Sequence, residues 1–180
     1  SPIKLKMAKK AKRFVHPGQC DFIGSSTILK QLCPMLNGID MQVVTNSIDN
    51  ALSMLTTEIP SVRLLGGLIN KSQRYIYSKV ALETICKIHF NTAFIGASRI
   101  RPDGVYAPKM EDAEVVRTAI ARANQVVLVA EKYIFTNDSF SPYMSAPLDK
   151  VDVLITDTPL TNEQRSWFNP KTQILPVLKE

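Results

Sequence analysis

Short, almost wholly apolar runs alternate along this chain with amphipathic stretches of helical period. The runs are CDFIG from Cys20, MQVVTN from Met41, SVRLLGG from Ser61, FNTAFIGAS from Phe90, QVVLVAE from Gln125, VDVLITD from Val151 and TQILPV from Thr172. A strand that is apolar throughout is covered on both sides, and parallel strands need a long crossover that a helix supplies. The predicted fold class is therefore α/β, a mostly parallel sheet with helices on both faces.

The intervening stretches fit that assignment. STILKQLCPML reads as a helix with Pro34 in its last turn, SIDNALSML as a helix that Ser47 can cap, and VALETICKI as a third. EDAEVVRTAIARAN has acids in its first turn and Val115, Val116, Ala119, Ile120 and Ala123 along one face, as a docked helix should. TNEQRSWF is a short helix opened by Thr161, Tyr75 to Tyr77 a possible short strand, and RPDG a turn. Phe135 to Lys150, rich in Ser, Pro and Asn, is the one long irregular stretch, and it suits a lid, an edge hairpin or an oligomer contact.

Ahead of the first strand, Ile3, Met7, Ala11 and Phe14 recur at helical spacing from Pro2 to about Val15, and HPG at His16 stops that helix. Its other face is lysine-rich. The net charge is +6, yet six of the 22 Lys and Arg fall in the first 13 residues, and the remainder carries equal numbers of acids and bases. A basic helix of this kind is either a solvated face or a surface for nucleic-acid phosphates. Cys20, Cys33 and Cys86 are widely spaced and form no C-x-x-C pair, which argues against a zinc site or a disulfide framework and suits a reducing cytoplasm. No apolar run reaches the roughly 18 residues that span a bilayer. Neither a cofactor, a metal nor a membrane partner is expected.

Parallel sheets bind ligands beyond the carboxyl ends of their strands. Five such ends carry small or polar residues: Gly24-Ser25-Ser26-Thr27, Thr45-Asn46-Ser47, Gly66-Gly67, Gly96-Ala97-Ser98 and Glu131-Lys132. All five should emerge on one edge. The first resembles a phosphate-binding turn, with small residues and hydroxyls leading into a helix, although capping alone would place Ser26 or Thr27 there. Thr45-Asn46 could equally be a capping turn, and Gly66-Gly67 a tight exit from a strand. Catalytic motifs are missing: the chain has no G-x-S-x-G, H-E-x-x-H, Walker lysine or G-x-G-x-x-G. His16 and His89 read as structural. Glu111, Asp112 and Glu114 suit the start of a helix, and Glu131 is the better candidate for a ligand contact.

Taken in order, VVTNSIDNAL, RLLGG, AFIGAS followed by DGVYAP, EDAEVVRTAIARANQVVLVAE and VDVLITD resemble the C-terminal effector domain of DeoR-type transcriptional repressors across essentially the whole body. The resemblance implies a fold similar to ribose-5-phosphate isomerase. It also implies a phosphorylated sugar or related metabolite as ligand, homo-oligomers, and a winged helix-turn-helix that reads DNA and lies outside these residues. On that basis residues 1–15 are expected to be a basic linker helix and 16–180 the effector-binding and oligomerisation domain. The expected ligand contacts are the first loop (Gly24, Ser25, Ser26, Thr27), Thr45 and Asn46, Gly66 and Gly67, with Tyr106, Lys109, Glu111, Glu131 and Lys132.

The chain departs from the family pattern at several of these positions. Gly24 to Ile28 stand where Asp-x-Gly-Thr-Thr is usual, and Ser78 where a glycine is. Tyr106 or Ala107 replaces a Thr, and Val116 a lysine. Ile134 takes the lysine position of the Asp-x-x-Lys-Phe ending, so Lys132 or Lys109 is expected to supply the missing cation. Two other readings stay open, a sugar-phosphate isomerase or deaminase and an oligomerisation domain with no ligand. Against the first, isomerases of this fold place paired acids where this chain has Ser98-Arg99, and an arginine cannot act as a carboxylate base.

Overall fold

The computed structural model describes residues 1–179. Helix α1 (Pro2–Lys12) precedes β1 (Cys20–Ile23), α2 (Thr27–Leu32), β2 (Gln42–Thr45), α3 (Ile48–Leu52) and β3 (Ser61–Leu64). A hairpin of β4 (Leu68–Asn70) and β5 (Tyr75–Tyr77) leads to α4 (Lys79–Cys86) and β6 (Phe90–Ile95). Then follow β7 (Arg99–Arg101), β8 (Gly104–Ala107), α5 (Met110–Ala121), β9 (Ala123–Val129), β10 (Tyr143–Pro147), β11 (Val153–Thr156), α6 (Asn162–Ser166) and β12 (Gln173–Pro176).

Seven strands form one sheet in the order β12-β11-β9-β6-β1-β2-β3, and every pairing in it is parallel. Adjacent residues of each central strand point to opposite faces, and both are buried. Ile23 and Phe94 face a layer built from Met7, Ala8, Ala11, Leu29 and Leu32 of α1 and α2. Phe22 and Ala93 face Ala81, Ile85, Val115 and Ala119 of α4 and α5. That double burial is why the strands read as unbroken apolar runs.

One feature was not legible in the sequence. The segments flanking RPDG are strands, β7 and β8, and β10 joins them in a three-stranded antiparallel sheet ordered β10-β8-β7. The stretch after Phe135 is thus an edge strand in part. Its pairing shifts register between Met144 and Ala146 and ends at Pro147, so no clean alternation marks it. Pro34 ends α2 by converting the chain to a 3-10 turn over Cys33–Leu36. Helix α1 lies against the body, with Met7, Ala8 and Ala11 fully buried.

At the centre of the sheet Asp21 is fully buried. Its Oδ1 accepts the Thr92 N–H at 3.1 Å, while Oδ2 has no partner among the described residues. Burial pushes its carboxyl up to about 7, against the smaller opposing effect of the Thr92 hydrogen bond. The folded chain therefore holds a proton between about pH 4 and pH 7 that the unfolded chain releases, so this group lowers stability as pH rises through that window. The difference is on the order of 4 kcal/mol. Thermal melts from pH 5.5 to 8 should show the melting temperature falling as pH rises, and Asp21→Asn should flatten that slope.

Candidate functional site

Because the seven strands run the same way, all their carboxyl ends share one edge, and a cleft of about 310 Å³ opens there. That volume suits a small metabolite. The turn after β1 and the turn after β6 form its floor, with Ala130 and Glu131 beside them after β9. Tyr106 and Ala107 of β8 and Ser145 of β10 close one side, so the small antiparallel sheet is part of the wall. Asp112 and Val116 enter from α5, and Lys4 from α1. Helices α2 and α5 begin on opposite faces of the main sheet and flank the opening.

The first loop is both cap and wall. Ser26 Oγ accepts the N–H groups of Ile28 and Leu29, so that hydroxyl is used within the protein. The Ser25 and Thr27 hydroxyls also border the cleft and have no protein partner among the described residues. Gly96 brings the second turn against the first, since a Cβ there would stand 2.7 Å from the Ser26 Cβ.

Thr45 and Asn46 lie beneath the cleft, fully buried. Thr45 Oγ1 donates to the Ile23 carbonyl at 2.6 Å and accepts from the Ser47 N–H and the Asn50 amide. Asn46 Nδ2 donates to Asp112 Oδ1 at 3.2 Å, and its own Oδ1 is buried without a partner among the described residues. Asp112 borders the cleft, and burial pushes its carboxyl up to about 6, opposed in part by the Asn46 hydrogen bond. At neutral pH it is largely a carboxylate, able to accept from hydroxyl groups.

Of the expected contacts, Gly24, Ser25, Ser26, Thr27, Tyr106 and Glu131 come together at the cleft. Tyr106 shows its ring there while its hydroxyl donates to the Asp103 carboxylate at 2.9 Å. The others lie elsewhere. Gly66 and Gly67 follow the edge strand β3; Gly67 has φ +147°, and a Cβ on it would meet the Tyr77 carbonyl at 2.3 Å, so close chain crossing accounts for it. Lys109 is the exposed residue before α5, and Glu111 is exposed on its first turn. The Lys132 N–H donates to Asp157 Oδ1 at 2.7 Å, and its side chain is not part of the cleft lining.

Sequence reasoning missed two cations, Lys4 and Lys30, and read a third group, Asp112, only as an acid suited to the start of a helix. Lys4 Nζ reaches Glu131 Oε1 at 2.6 Å, both side chains mostly covered. Lys30 faces Asp49 at 3.9 Å, and Asp49 also accepts from Arg74 Nε at 2.7 Å. Each carboxylate on the cleft is thus engaged by a protein donor: Asp49 by Arg74 and Lys30, Asp112 by Asn46 and Glu131 by Lys4. Ser98 borders the cleft, and Arg99 follows it with its Nε buried and unpartnered among the described residues. The spacing of Lys4 beside Met7 and Ala8 was the available signal for the first, and the turn of α5 that points Asp112 inward and Glu111 outward for the third.

Residues 2–158 match the family described as the DeoR C terminal sensor domain. The chain is 32% identical over 154 residues to the HTH-type transcriptional repressor GlcR of Bacillus subtilis, covering 86% of this chain and 59% of that repressor. It is 26% identical over 175 residues to the lactose phosphotransferase system repressor of Lactococcus lactis, covering 96% of this chain and 68% of the relative. Among solved structures, ribose 5-phosphate isomerase A of Methanocaldococcus jannaschii superimposes with a TM-score of 0.53 at 15% identity, over 75% of this chain and 54% of that one. The fold is the ribose-5-phosphate isomerase-like α/β fold.

The contact between the two floor turns can be tested directly. Gly96→Ala must displace the Ser26 turn and should destabilise the domain by about 1–3 kcal/mol. Ser26→Ala should cost about 1 kcal/mol as a lost cap. Gly24→Ala, whose Cβ would only touch the Phe22 ring at 3.4 Å, should cost least of the three in urea denaturation.

Proposed function

The chain belongs to the DeoR C-terminal sensor-domain family, and on that premise we propose that it is the effector-sensing part of a cytoplasmic transcriptional regulator that binds a phosphorylated sugar or related metabolite. One observation carries the reading. The carboxyl ends of β1, β6 and β9 meet α5 around a single cleft of about 310 Å³, which offers unpartnered Ser25 and Thr27 hydroxyls near the Asp112 carboxylate. Hydroxyl donors suit an anionic group and a carboxylate suits sugar hydroxyls, so one small ligand could use both. Relatives named repressors support regulation, and the same-fold neighbour, named for ribose 5-phosphate, is an enzyme of a phosphorylated sugar.

The chain spans 59% of the GlcR relative's length, and on this proposal DNA reading belongs to a helix-turn-helix module outside these residues. Ligand would act by preferring one of two conformations that differ in DNA affinity. Self-association would use the open edge at β3 and the neighbouring hairpin, where Leu64, Leu68 and Ile69 are exposed.

One observation favours a second reading. A carboxyl raised to about 6 beside a cleft is what a proton-transferring base needs, and Asp112 is such a group. The engagement of Asp112 by Asn46 and the serine-arginine pair at Ser98-Arg99 weigh toward sensing. Turnover of a pentose or hexose phosphate by the purified domain, lost in Asp112→Asn, would establish the enzyme reading instead.

The sensing reading is tested by thermal melts against a panel of sugar phosphates and their unphosphorylated parents. A phosphorylated ligand at 100 times its Kd should add about 2.7 kcal/mol and raise the melting temperature by roughly 5–10 °C. The parent sugar should do much less. No shift from any phosphorylated compound at millimolar concentration would overturn the reading.

A further inference from the structure

We propose that Lys4, brought to the cleft by α1, is the cation that receives the ligand's anionic group, and that Glu131 is the partner it leaves, so that α1 registers occupancy of the cleft. The proposal rests on the reading of the cleft as the site of an anionic metabolite.

Among the described residues two cationic side chains border the cleft, Lys4 and Lys30. Lys30 is the weaker candidate. Its side chain is 58% exposed and stands 3.9 Å from Asp49, where water screens it. Lys4 is mostly covered, as is Glu131, and the two meet at 2.6 Å across 127 residues of chain. A pair that is partly withdrawn from water and this short is a charge-assisted hydrogen bond rather than a chance surface contact. Ile134, buried at the cleft, offers no charge, and Lys109 and Lys132 do not border it.

The ammonium of Lys4 has three donors, and Glu131 is its one acceptor among the described residues. A phosphate brings close to two negative charges and three acceptor oxygens, so it outcompetes one carboxylate for that ammonium. Glu131 cannot stay beside the incoming anion without repulsion. It must turn away, or accept from a hydroxyl of the same ligand. Binding an anion therefore exchanges the Lys4–Glu131 contact for a Lys4–ligand contact.

The position of α1 converts that exchange into a displacement. Lys4, in the first turn, meets Glu131 at the carboxyl edge of the sheet, whereas Val15, just past the helix, packs with Met41 ahead of β2 at the opposite edge. The helix thus runs down the sheet from the cleft. Met7, Ala8 and Ala11 share a core with Ile28, Leu29 and Leu32 of α2, the helix that starts at the first loop. The loop and Lys4 are therefore two contacts of one packed helix pair, and a ligand touching both sets the angle of α1.

The test is a two-dimensional NMR titration of the domain with inorganic phosphate and with the sugar-phosphate panel. Lys4→Met should weaken binding of phosphate-bearing compounds roughly 10- to 100-fold, the range for losing one hydrogen bond to a charged group. Glu131→Gln should strengthen inorganic phosphate several-fold by removing the competitor. Lys4→Arg should restore binding if Lys4→Met is poorly folded. In the wild type, amide hydrogen exchange over residues 5–12 should change with a sugar phosphate and not with the parent sugar. If wild type binds a sugar phosphate and Lys4→Met binds it equally, Lys4 is not the receiving cation and the proposal is overturned while the sensing reading stands. If binding is Lys4-dependent but exchange in α1 does not change, the registration by α1 is overturned. If wild type binds no panel member, the sensing reading itself fails and takes the proposal with it.

Discussion

Thr45 and Asn50, both sealed from solvent, tie the carboxyl end of β1 to that of β2. Thr45 Oγ1 donates to the Ile23 carbonyl, Asn50 Nδ2 donates to the Gly24 carbonyl at 2.9 Å, and the Gly24 N–H donates to Phe94 in β6. The ends of β1 and β2 are thereby fixed to each other by side chains as well as by the sheet ladder, and β6 is joined to them by a backbone bond. Each bond contributes only about 1 kcal/mol net, yet breaking one strands a buried polar group, which costs more. The turn from Gly24 to Thr27 is consequently set by the protein's own needs. Its geometry toward a ligand is a by-product of a buried polar network, which is what preorganisation requires.

The charges around the cleft are balanced rather than concentrated. Lys4 and Lys30 border the cleft together with Glu131, Asp49 and Asp112, so a simple anion meets no excess of positive charge. Under the sensing reading this favours a ligand that carries an anionic group and hydroxyls together, because only such a ligand compensates the cations and the carboxylates at once. A bare anion gains one set of contacts and is repelled by the other. Asp112 takes part in this selection through its setting. Burial has already raised the cost of its charge, so a hydroxyl donating to it recovers a larger share than it would at an exposed acid.

The large features were legible because they follow from periodicity. A strand apolar on both faces has one structural explanation, and the alternation from Cys20 to Val177 predicted the sheet and its shared edge. The small features were not. β7 spans three residues and β8 four, too few for alternation to register, and β10 carries a shifted pairing and Pro147. The expectation that all five strand ends share an edge held, but Gly66 and Gly67 belong to the outermost strand and stand clear of the cleft. Glu111 and Asp112 are one residue and about 100° apart on a helix. Composition cannot choose between them, and packing of Val115 and Ala119 onto Phe22 does. Lys4 was hidden for a related reason. A lysine-rich helix face reads as solvated, and only the docking of Met7 and Ala8 shows that the residue a turn earlier is carried over the sheet edge.

The likeness to an isomerase and the relation to repressors are compatible once fold and chemistry are separated. A parallel sheet with converging strand ends is suited to holding a phosphorylated sugar, whatever happens next. Turnover needs in addition a base that is free and correctly placed, and a regulator needs an element that moves with occupancy. In this chain the carboxylates at the cleft are tied to protein donors, and one of those donors sits on a helix that runs the length of the sheet. An ion pair of that kind engages each partner with the other rather than leaving either free. On the sensing reading it supplies a contact that a ligand could exchange, where the cleft meets α1. On the sensing reading, the same fold would serve detection of a ligand rather than its conversion through where the charges of its strand ends are anchored.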